Sequence, residues 1–389
     1  MKLFVVAGEP SGDRLGAALM AGVRVLAPGV GFAGVGGAAM EDEGLSSLFP
    51  MEELTVMGLV EVLPKYRALT RRIAQTARAV LDSGAVALVT IDSPDFCLRV
   101  ARLVKAARPG FPVIHYVAPS VWAWRSGRAA KMAQVVDHVL ALLPFEPPHM
   151  TAAGMSCDFV GHPVVAEPVA TGAEVAAFAA RHGLAGPWLL ALPGSRKGEV
   201  SRLAPVIGAV LRDLPGVPVV VPTVRGVAGL VRAKVADWPV PPLIVTDGAD
   251  KRAALAGARV ALAASGTVSL ELAANGVPMV IAYDMNLLSR FVIARMLKVD
   301  TVTLVNLVSD TRAVPEFLGA RCRADLIGPA LARLIEDGPA REAQMQAMKL
   351  TMKRLGRGGE PPGLRAARSV LDAVARLAPA PDPAAAQHP

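Results

Sequence analysis

Two turns in the second half of this chain carry residue types suited to holding an anion. One is Leu192-Pro193-Gly194-Ser195-Arg196, with Glu199 three residues on; the other is Ser265-Gly266-Thr267, with Glu271 a turn later. Each follows an apolar run and precedes a helical pattern. A turn that opens a helix at a strand's end presents unpaired backbone N–H groups and the positive end of the helix dipole. Arg196 is always charged and can grip a diphosphate through two parallel bonds. If a reaction expels a diphosphate, Arg196 and the turn N–H groups would stabilise the charge that develops. Ser265 and Thr267 add hydroxyl donors. Glu271 could accept from ribose hydroxyls, or simply balance the helix dipole. Together the turns suggest a nucleotide diphosphate, and neither a fibre nor a DNA reader.

The first half offers a possible base and a second binding surface. Gly8-Glu9-Pro10-Ser11-Gly12-Asp13 follows an apolar strand-like run, and Ser11 or Asp13 could cap the next helix. The cluster Gly34-Val35-Gly36-Gly37 lacks the full dinucleotide fingerprint and its acidic partner. Asp92-Ser93-Pro94-Asp95-Phe96 closes another apolar run. Asp92 there could take a proton from an attacking hydroxyl, or could cap the following turn. Asp95 reads as the cap of the helix that begins near Phe96. Trp122, Trp124 and Arg125, in the stretch from Tyr116 to Arg125, could line a sugar or nucleotide pocket. The six histidines are dispersed and His162 reads as structural; Cys97, Cys157 and Cys322 form no CxxC. With no EF-hand loop, HExxH or Walker lysine either, the sequence predicts no metal.

These groups need elements to position them. Short apolar runs at 3–7, 86–91, 113–117, 139–143, 189–192, 217–221, 243–245, 260–263 and 279–282 alternate with helical patterns. Unbroken apolar strands of this length fit parallel sheets covered on both faces, joined as βαβ units. A Pro/Gly-rich connection from Val160 to Gly172 separates two series. The expected fold class is α/β: two Rossmann-like, doubly wound domains facing a cleft, with ligands at the strands' carboxyl ends. The expected division is 1–163, 164–345, a set of C-terminal helices over 346–378, and a disordered Ala/Pro tail over 379–389.

Composition bounds the partners. The chain has 389 residues, 53% of them hydrophobic, with a net charge of +8 and only 4% aromatics. Basic charge fits nucleic acid, a membrane surface or an anionic substrate. Scarce aromatics argue against nucleic-acid stacking platforms. No uncharged run approaches the length of a membrane span, and the amino terminus does not read as a signal peptide. The expectation is a cytoplasmic protein with peripheral membrane contact at most. A basic amphipathic helix over 61–81 offers that contact: Val62, Tyr66, Leu69, Ile73, Ala77 and Val80 share one face, and Lys65, Arg67, Arg71, Arg72 and Arg78 the others. It follows the apolar loop Val56-Met57-Gly58-Leu59-Val60. Such a helix suits an anionic bilayer, though its stripe could equally pack on a sheet.

Taken in order, these motifs resemble the lipid-A-disaccharide synthase family, a group of bacterial glycosyltransferases. The resemblance runs through Gly8 to Asp13, Met51-Glu52-Glu53-Leu54-Thr55-Val56-Met57-Gly58, Asp92 to Phe96, Tyr116 to Arg125, Leu143-Pro144-Phe145-Glu146, Leu192 to Arg196, and Ala264 to Glu271. It implies a GT-B fold and inversion at the anomeric carbon. It implies UDP-2,3-diacylglucosamine as donor and 2,3-diacylglucosamine 1-phosphate as acceptor, with no metal or cofactor. By position Asp92 matches the family's essential aspartate, Arg196 its essential arginine, and Asn306 an asparagine that reaches the nucleotide site from a swapped partner subunit. A domain-swapped homodimer is thus one expectation. Gly8, Glu9, Ser11, Gly12, Asp13, Trp122, Trp124 and Arg125 fall on the acceptor side. Because both substrates carry acyl chains, the resemblance favours Val56, Met57, Leu59, Val60, Val62, Leu63, Tyr66 and Leu69 as a membrane-facing patch. Pro10 and Cys97 depart from the family's usual threonine and asparagine. Competing readings are a UDP-sugar epimerase of the same fold and a non-catalytic protein that binds anionic lipid.

Overall fold

The apolar runs assemble into two parallel sheets in a computed structural model that describes residues 1–54, 62–122, 127–214, 216–284 and 299–377. The first sheet contains β1 (Lys2–Ala7), β2 (Gly31–Val35), β3 (Ala87–Ile91), β4 (Val113–Tyr116), β5 (His138–Ala141) and β6 (Ser156–Phe159). Their order is β2-β1-β3-β4-β5-β6, all parallel. The second contains β7 (Trp188–Leu192), β8 (Val219–Pro222), β9 (Leu243–Val245), β10 (Ala258–Ala264), β11 (Met279–Tyr283) and β12 (Glu316–Leu318), ordered β12-β11-β10-β7-β8-β9. Both are doubly wound, and in each the strand order reverses once: between β1 and β3, and between β7 and β10. Ligands of such sheets bind outside the carboxyl ends of the strands at that reversal.

The inner strands form because their residues are apolar on both faces. Leu3, Val5 and Ala7 pack with Leu15, Leu19 and Val23 of helix Pro10–Leu26. Phe4 and Val6 face the opposite core, with Ile73, Ala77 and Val80 of helix Val62–Asp82 and with Val100 and Val104 of helix Pro94–Ala107. Strands β2, β6 and β12 were not legible as apolar runs. Their sequences, GFAGV, SCDF and EFL, are short and mixed. Each is an edge strand, which needs neither a continuous apolar run nor great length.

The chain forms two compact units, Met1–Pro163 with the segment from Gly358 onward, and Val164–Arg357. The C-terminal helices expected as one group are therefore divided. Helix Pro339–Arg354 belongs to the second unit, where buried Gln344 accepts from the Met279 N–H (2.9 Å) and donates to its carbonyl (3.0 Å). Helix Pro362–Leu377 belongs to the first, because its Ala366, Ala367, Val370, Ala373 and Val374 complete the core against helix Pro10–Leu26.

A polar cluster around buried His138 and Ser369 holds that last helix. The Ser369 hydroxyl donates to Asp158 Oδ2 (2.6 Å) and lies 2.8 Å from His138 Nε2; His138 Nδ1 lies 2.8 Å from Ser156 Oγ. His138 is fully buried, and burial lowers its pKa below the usual histidine value. Ser369→Ala leaves its ring nitrogen without this partner. The expected loss is about 1–3 kcal/mol, read as a lower urea midpoint at neutral pH.

Candidate active site

At the first reversal, Ala7 pairs with Ile91, so Gly8 and Asp92 leave the sheet side by side. The approach is close enough to require glycine: a Cβ on Gly8 would sit 2.6 Å from Ser93 Oγ. The backbone after β3 is unusual. Asp92 and Ser93 have φ of 50° and 43°, and Val117, at the end of the neighbouring β4, has φ of 85°. Left-handed backbone costs an L-residue roughly 1–2 kcal/mol, and for a β-branched valine it is a true outlier. Two of the three are tied to the sheet: the Asp92 N–H donates to the Tyr116 carbonyl (3.0 Å) and the Val117 N–H to the Leu140 carbonyl (3.0 Å). Such strain persists only where surrounding structure over-determines it, and it gathers at functional sites.

Asp92 is half-buried and, among the described residues, its carboxylate accepts no hydrogen bond. It does not cap the next turn. The cap of helix Pro94–Ala107 is Ser93, whose carbonyl accepts from the N–H groups of Phe96 (3.1 Å) and Cys97 (3.0 Å). Asp95, expected as that cap, is exposed within the first turn instead. Cys97 is fully buried; burial, and then the charge of Asp92, push its thiol well above the usual range. Its side chain packs in the core with Leu88, Val100 and Val104.

The remaining acceptor-side residues separate. Glu9 and Ser11 are exposed at the start of helix Pro10–Leu26, with Glu9 as its extended N-cap. Gly12 is buried against β3. Asp13 is not turned toward a ligand. It is buried, and its oxygens accept from the N–H groups of Gly37 (2.8 Å), Ala39 (3.0 Å) and Met40 (3.1 Å), so that it caps the helix Ala38–Asp42. Trp122 packs edge-on to Phe145 at 5.2 Å between centroids. Trp124 and Arg125 lie outside the described residues.

At the second reversal, Leu192 pairs with Ala263, which sends both anion-type turns out of neighbouring strands at one edge of the sheet. The first turn already holds a carboxylate. Glu199 Oε2 accepts from the N–H groups of Ser195 (3.1 Å) and Arg196 (3.2 Å), and Oε1 from Arg196 Nη1 (3.1 Å). Gly194 has φ of +111°, and a Cβ there would meet Glu199 Oε2 at 2.5 Å. The turn therefore binds an anion, and that anion is the protein's own. Arg196 keeps 79% of its side chain exposed. In the second turn, Ser265 is half-buried, while Gly266 and Thr267 are exposed, with nothing within 4 Å of a Cβ placed on Gly266. Glu271 lies 3.8 Å from Lys251 Nζ.

Asn306 and the expected membrane patch remain to be placed. Asn306 is buried, and its amide is spent within the chain. Nδ2 donates to Thr301 Oγ1 (3.2 Å) and the Val314 carbonyl (2.9 Å), and Oδ1 accepts from the Val314 N–H (3.0 Å). It closes the loop between Thr301 and Val314. In the proposed membrane patch, Val56, Met57, Leu59 and Val60 lie outside the described residues, as do the side chains of Val62, Leu63 and Tyr66. Leu69, Ile73, Ala77 and Val80 turn inward to the core. Arg72 is bound to Glu53 (2.7 and 2.8 Å) and lies 4.4 Å over the Phe49 ring; Arg67, Arg71 and Arg78 are exposed on the outer face.

A family model described as lipid-A-disaccharide synthetase matches residues 3–360. A lipid-A-disaccharide synthase from Ruegeria pomeroyi is 63% identical over 385 residues, covering 96% of this chain and 95% of the relative. The chain belongs to the lipid-A-disaccharide synthase family. A second such synthase, from Rhodospirillum centenum, is 48% identical over 381 residues, with 96% and 95% covered. Among solved structures, the UDP-GlcNAc 2-epimerase from Neisseria meningitidis superposes with a TM-score of 0.64 at 11% identity, covering 97% of this chain and all of that one. MurG from Acinetobacter baumannii gives 0.53 at 15%, covering 96% and 99%. Likeness at that identity is likeness of fold, here the GT-B type. Family membership makes this chain a glycosyltransferase. Among the described residues no helix is long and apolar enough to cross a membrane.

One residue of this synthase-family chain was passed over as a site group. Glu146, just beyond β5, is 4% exposed. Its Oε2 accepts from the N–H groups of Leu142 (3.1 Å) and Leu143 (3.0 Å), and its Oε1 from Trp122 Nε1 at 3.4 Å. Burial raises its pKa from 4.5 to about 7 despite these bonds. The sequence signal was a carboxylate placed directly before Pro147-Pro148, where the chain turns back from a strand end. Between pH 4.5 and 7 the folded protein keeps a proton that the unfolded chain releases, so stability falls as pH rises through that window. Glu146→Gln lacks that slope. It should gain on the parent across the window by about 3 kcal/mol in urea denaturation; parallel profiles would contradict the assignment.

Proposed function

We propose that this chain transfers the sugar of UDP-2,3-diacylglucosamine to 2,3-diacylglucosamine 1-phosphate, forming the β(1→6) lipid A disaccharide 1-phosphate and UDP. The observation that carries the reading is the placement, in a member of this family, of an Asp92 carboxylate that no described residue bonds, on a strained strand end at the reversal of the first sheet. The acceptor's 6-hydroxyl oxygen attacks the anomeric carbon while the bond from that carbon to the diphosphate breaks. The hydroxyl proton passes to Asp92, and the departing electron pair goes to the diphosphate. Attack opposite the leaving group inverts the anomeric centre.

Arg196 and the N–H groups of Ser195 and Arg196 meet the charge on the diphosphate, with Ser265, Gly266 and Thr267 at the neighbouring strand end. Glu271 accepts from the ribose. The reaction then needs no metal or cofactor, since the positive charge for the leaving group comes from Arg196 and backbone dipoles. Asp92→Asn should lower turnover by about 10²–10⁴-fold while leaving UDP affinity intact. Arg196→Ala should lower turnover by about 10²–10³-fold and also weaken UDP binding. Both are read as UDP released from the two acylated substrates. Parent protein that releases no UDP from that pair would overturn the reading.

The acyl chains place the enzyme's work at the cytoplasmic face of a bilayer. The exposed Arg67, Arg71 and Arg78 give helix Val62–Asp82 a cationic outer face for anionic headgroups. Replacing Val60, Val62 and Leu63 together by serine should reduce co-sedimentation with anionic phospholipid vesicles and leave the thermal midpoint unchanged. Undiminished sedimentation would remove the segment from the membrane contact.

A further inference from the structure

A buried hydroxyl without a partner forfeits its bonds to water and gains nothing in return, so native proteins carry few of them. Among the described residues, Thr223 Oγ1 is such an atom. The residue is only 7% exposed and stands immediately after β8. Its N–H donates to the Val245 carbonyl at 2.8 Å. Its side-chain hydroxyl has no partner among the described residues.

Its position follows from register and alternation. Leu190 pairs with Val220, and continuing that parallel register brings Thr223 level with Pro193. Val219 and Val221 pack with Val200, Leu203 and Ile207 of helix Lys197–Leu211. Strand alternation puts Thr223 on that same face, at the edge where this helix begins. There the N–H groups of Ser195 and Arg196 hold the carboxylate of Glu199. A resident carboxylate on two backbone donors occupies the place of an anionic ligand, and an orphaned donor stands one strand away on the same face.

We propose that Thr223 is a further diphosphate-binding residue, whose hydroxyl donates to a phosphate oxygen when nucleotide replaces the Glu199 carboxylate on Ser195 and Arg196. The assignment rests on the UDP-sugar reading above and deepens it. It also explains why a hydroxyl stands where valine would pack as well: the unpaired group has a partner only in the liganded protein.

The test is calorimetric titration of UDP and of inorganic pyrophosphate into the parent, Thr223→Val and Thr223→Ser, with thermal unfolding of each protein free of ligand. Thr223→Val should unfold at the same temperature as the parent or higher, because an unsatisfied hydroxyl is lost. It should bind both UDP and pyrophosphate about tenfold more weakly. Thr223→Ser should retain the parent's affinity for both. Equal UDP affinity in parent and Thr223→Val would overturn the assignment and leave the transferase reading standing. Weakened UDP binding with unchanged pyrophosphate binding would place the hydroxyl at the nucleoside, and would also overturn it. A parent that binds neither ligand would overturn both readings.

Discussion

Parallel strand pairing is the constraint on which the rest of this molecule depends. Strands that run in one direction deliver all their carboxyl ends to one edge, and connections on both faces force the strand order to reverse somewhere along it. In the first sheet that reversal sets Gly8 beside Asp92; in the second it sets the Gly194 turn beside the Gly266 turn. Groups more than eighty residues apart in the first case, and about seventy in the second, become neighbours without any long side chain reaching between them. The apolar cores on the sheet faces supply the stability that holds these ends in place.

That stability is partly spent on backbone geometry. Asp92, Ser93 and Val117 are left-handed at adjacent strand ends, at a combined cost of roughly 3–6 kcal/mol if each follows the usual penalty. A cap through the Asp92 side chain would have relieved nothing in the backbone and would have consumed the carboxylate. Capping by the Ser93 carbonyl leaves it unbonded. Two helix starts elsewhere meet unpaired N–H groups with carboxylates: Asp13 does so for Gly37, Ala39 and Met40, and Glu199 for Ser195 and Arg196. These two cases look alike but differ in access. Asp13 is buried and fixed, whereas Glu199 sits in a turn whose arginine is largely in solvent.

Much of the fold was legible in the residues. Nine of the twelve strands are continuous apolar runs, because strands covered on both faces must be. Of the four edge strands among the described residues, β2, β6 and β12 were not, since an edge requires little apolar length. The helix over 61–81 shows the limit of periodicity. An apolar stripe at helical spacing suits a sheet and a bilayer equally, and only the packing of Leu69, Ile73, Ala77 and Val80 assigns that part of it to the core. Asn306 shows a similar limit: its type permits either a ligand contact or a loop closure, and only the structure shows its bonds to Thr301 and Val314.

By itself the sequence determined the fold class, the glycine turns at strand ends and the residue types gathered around them. Those follow from local rules: hydrophobic periodicity, turn chemistry and helix capping act over a few residues. Only the tertiary structure decided which turns share an edge, that Glu199 fills its own turn, and that, among the described residues, the Asp92 carboxylate is unbonded and the Thr223 hydroxyl has no partner. It also returned helix Pro362–Leu377 to the first unit. Each of these depends on pairing register and side-chain burial between distant segments, and a linear pattern carries no record of which distant groups have already satisfied one another.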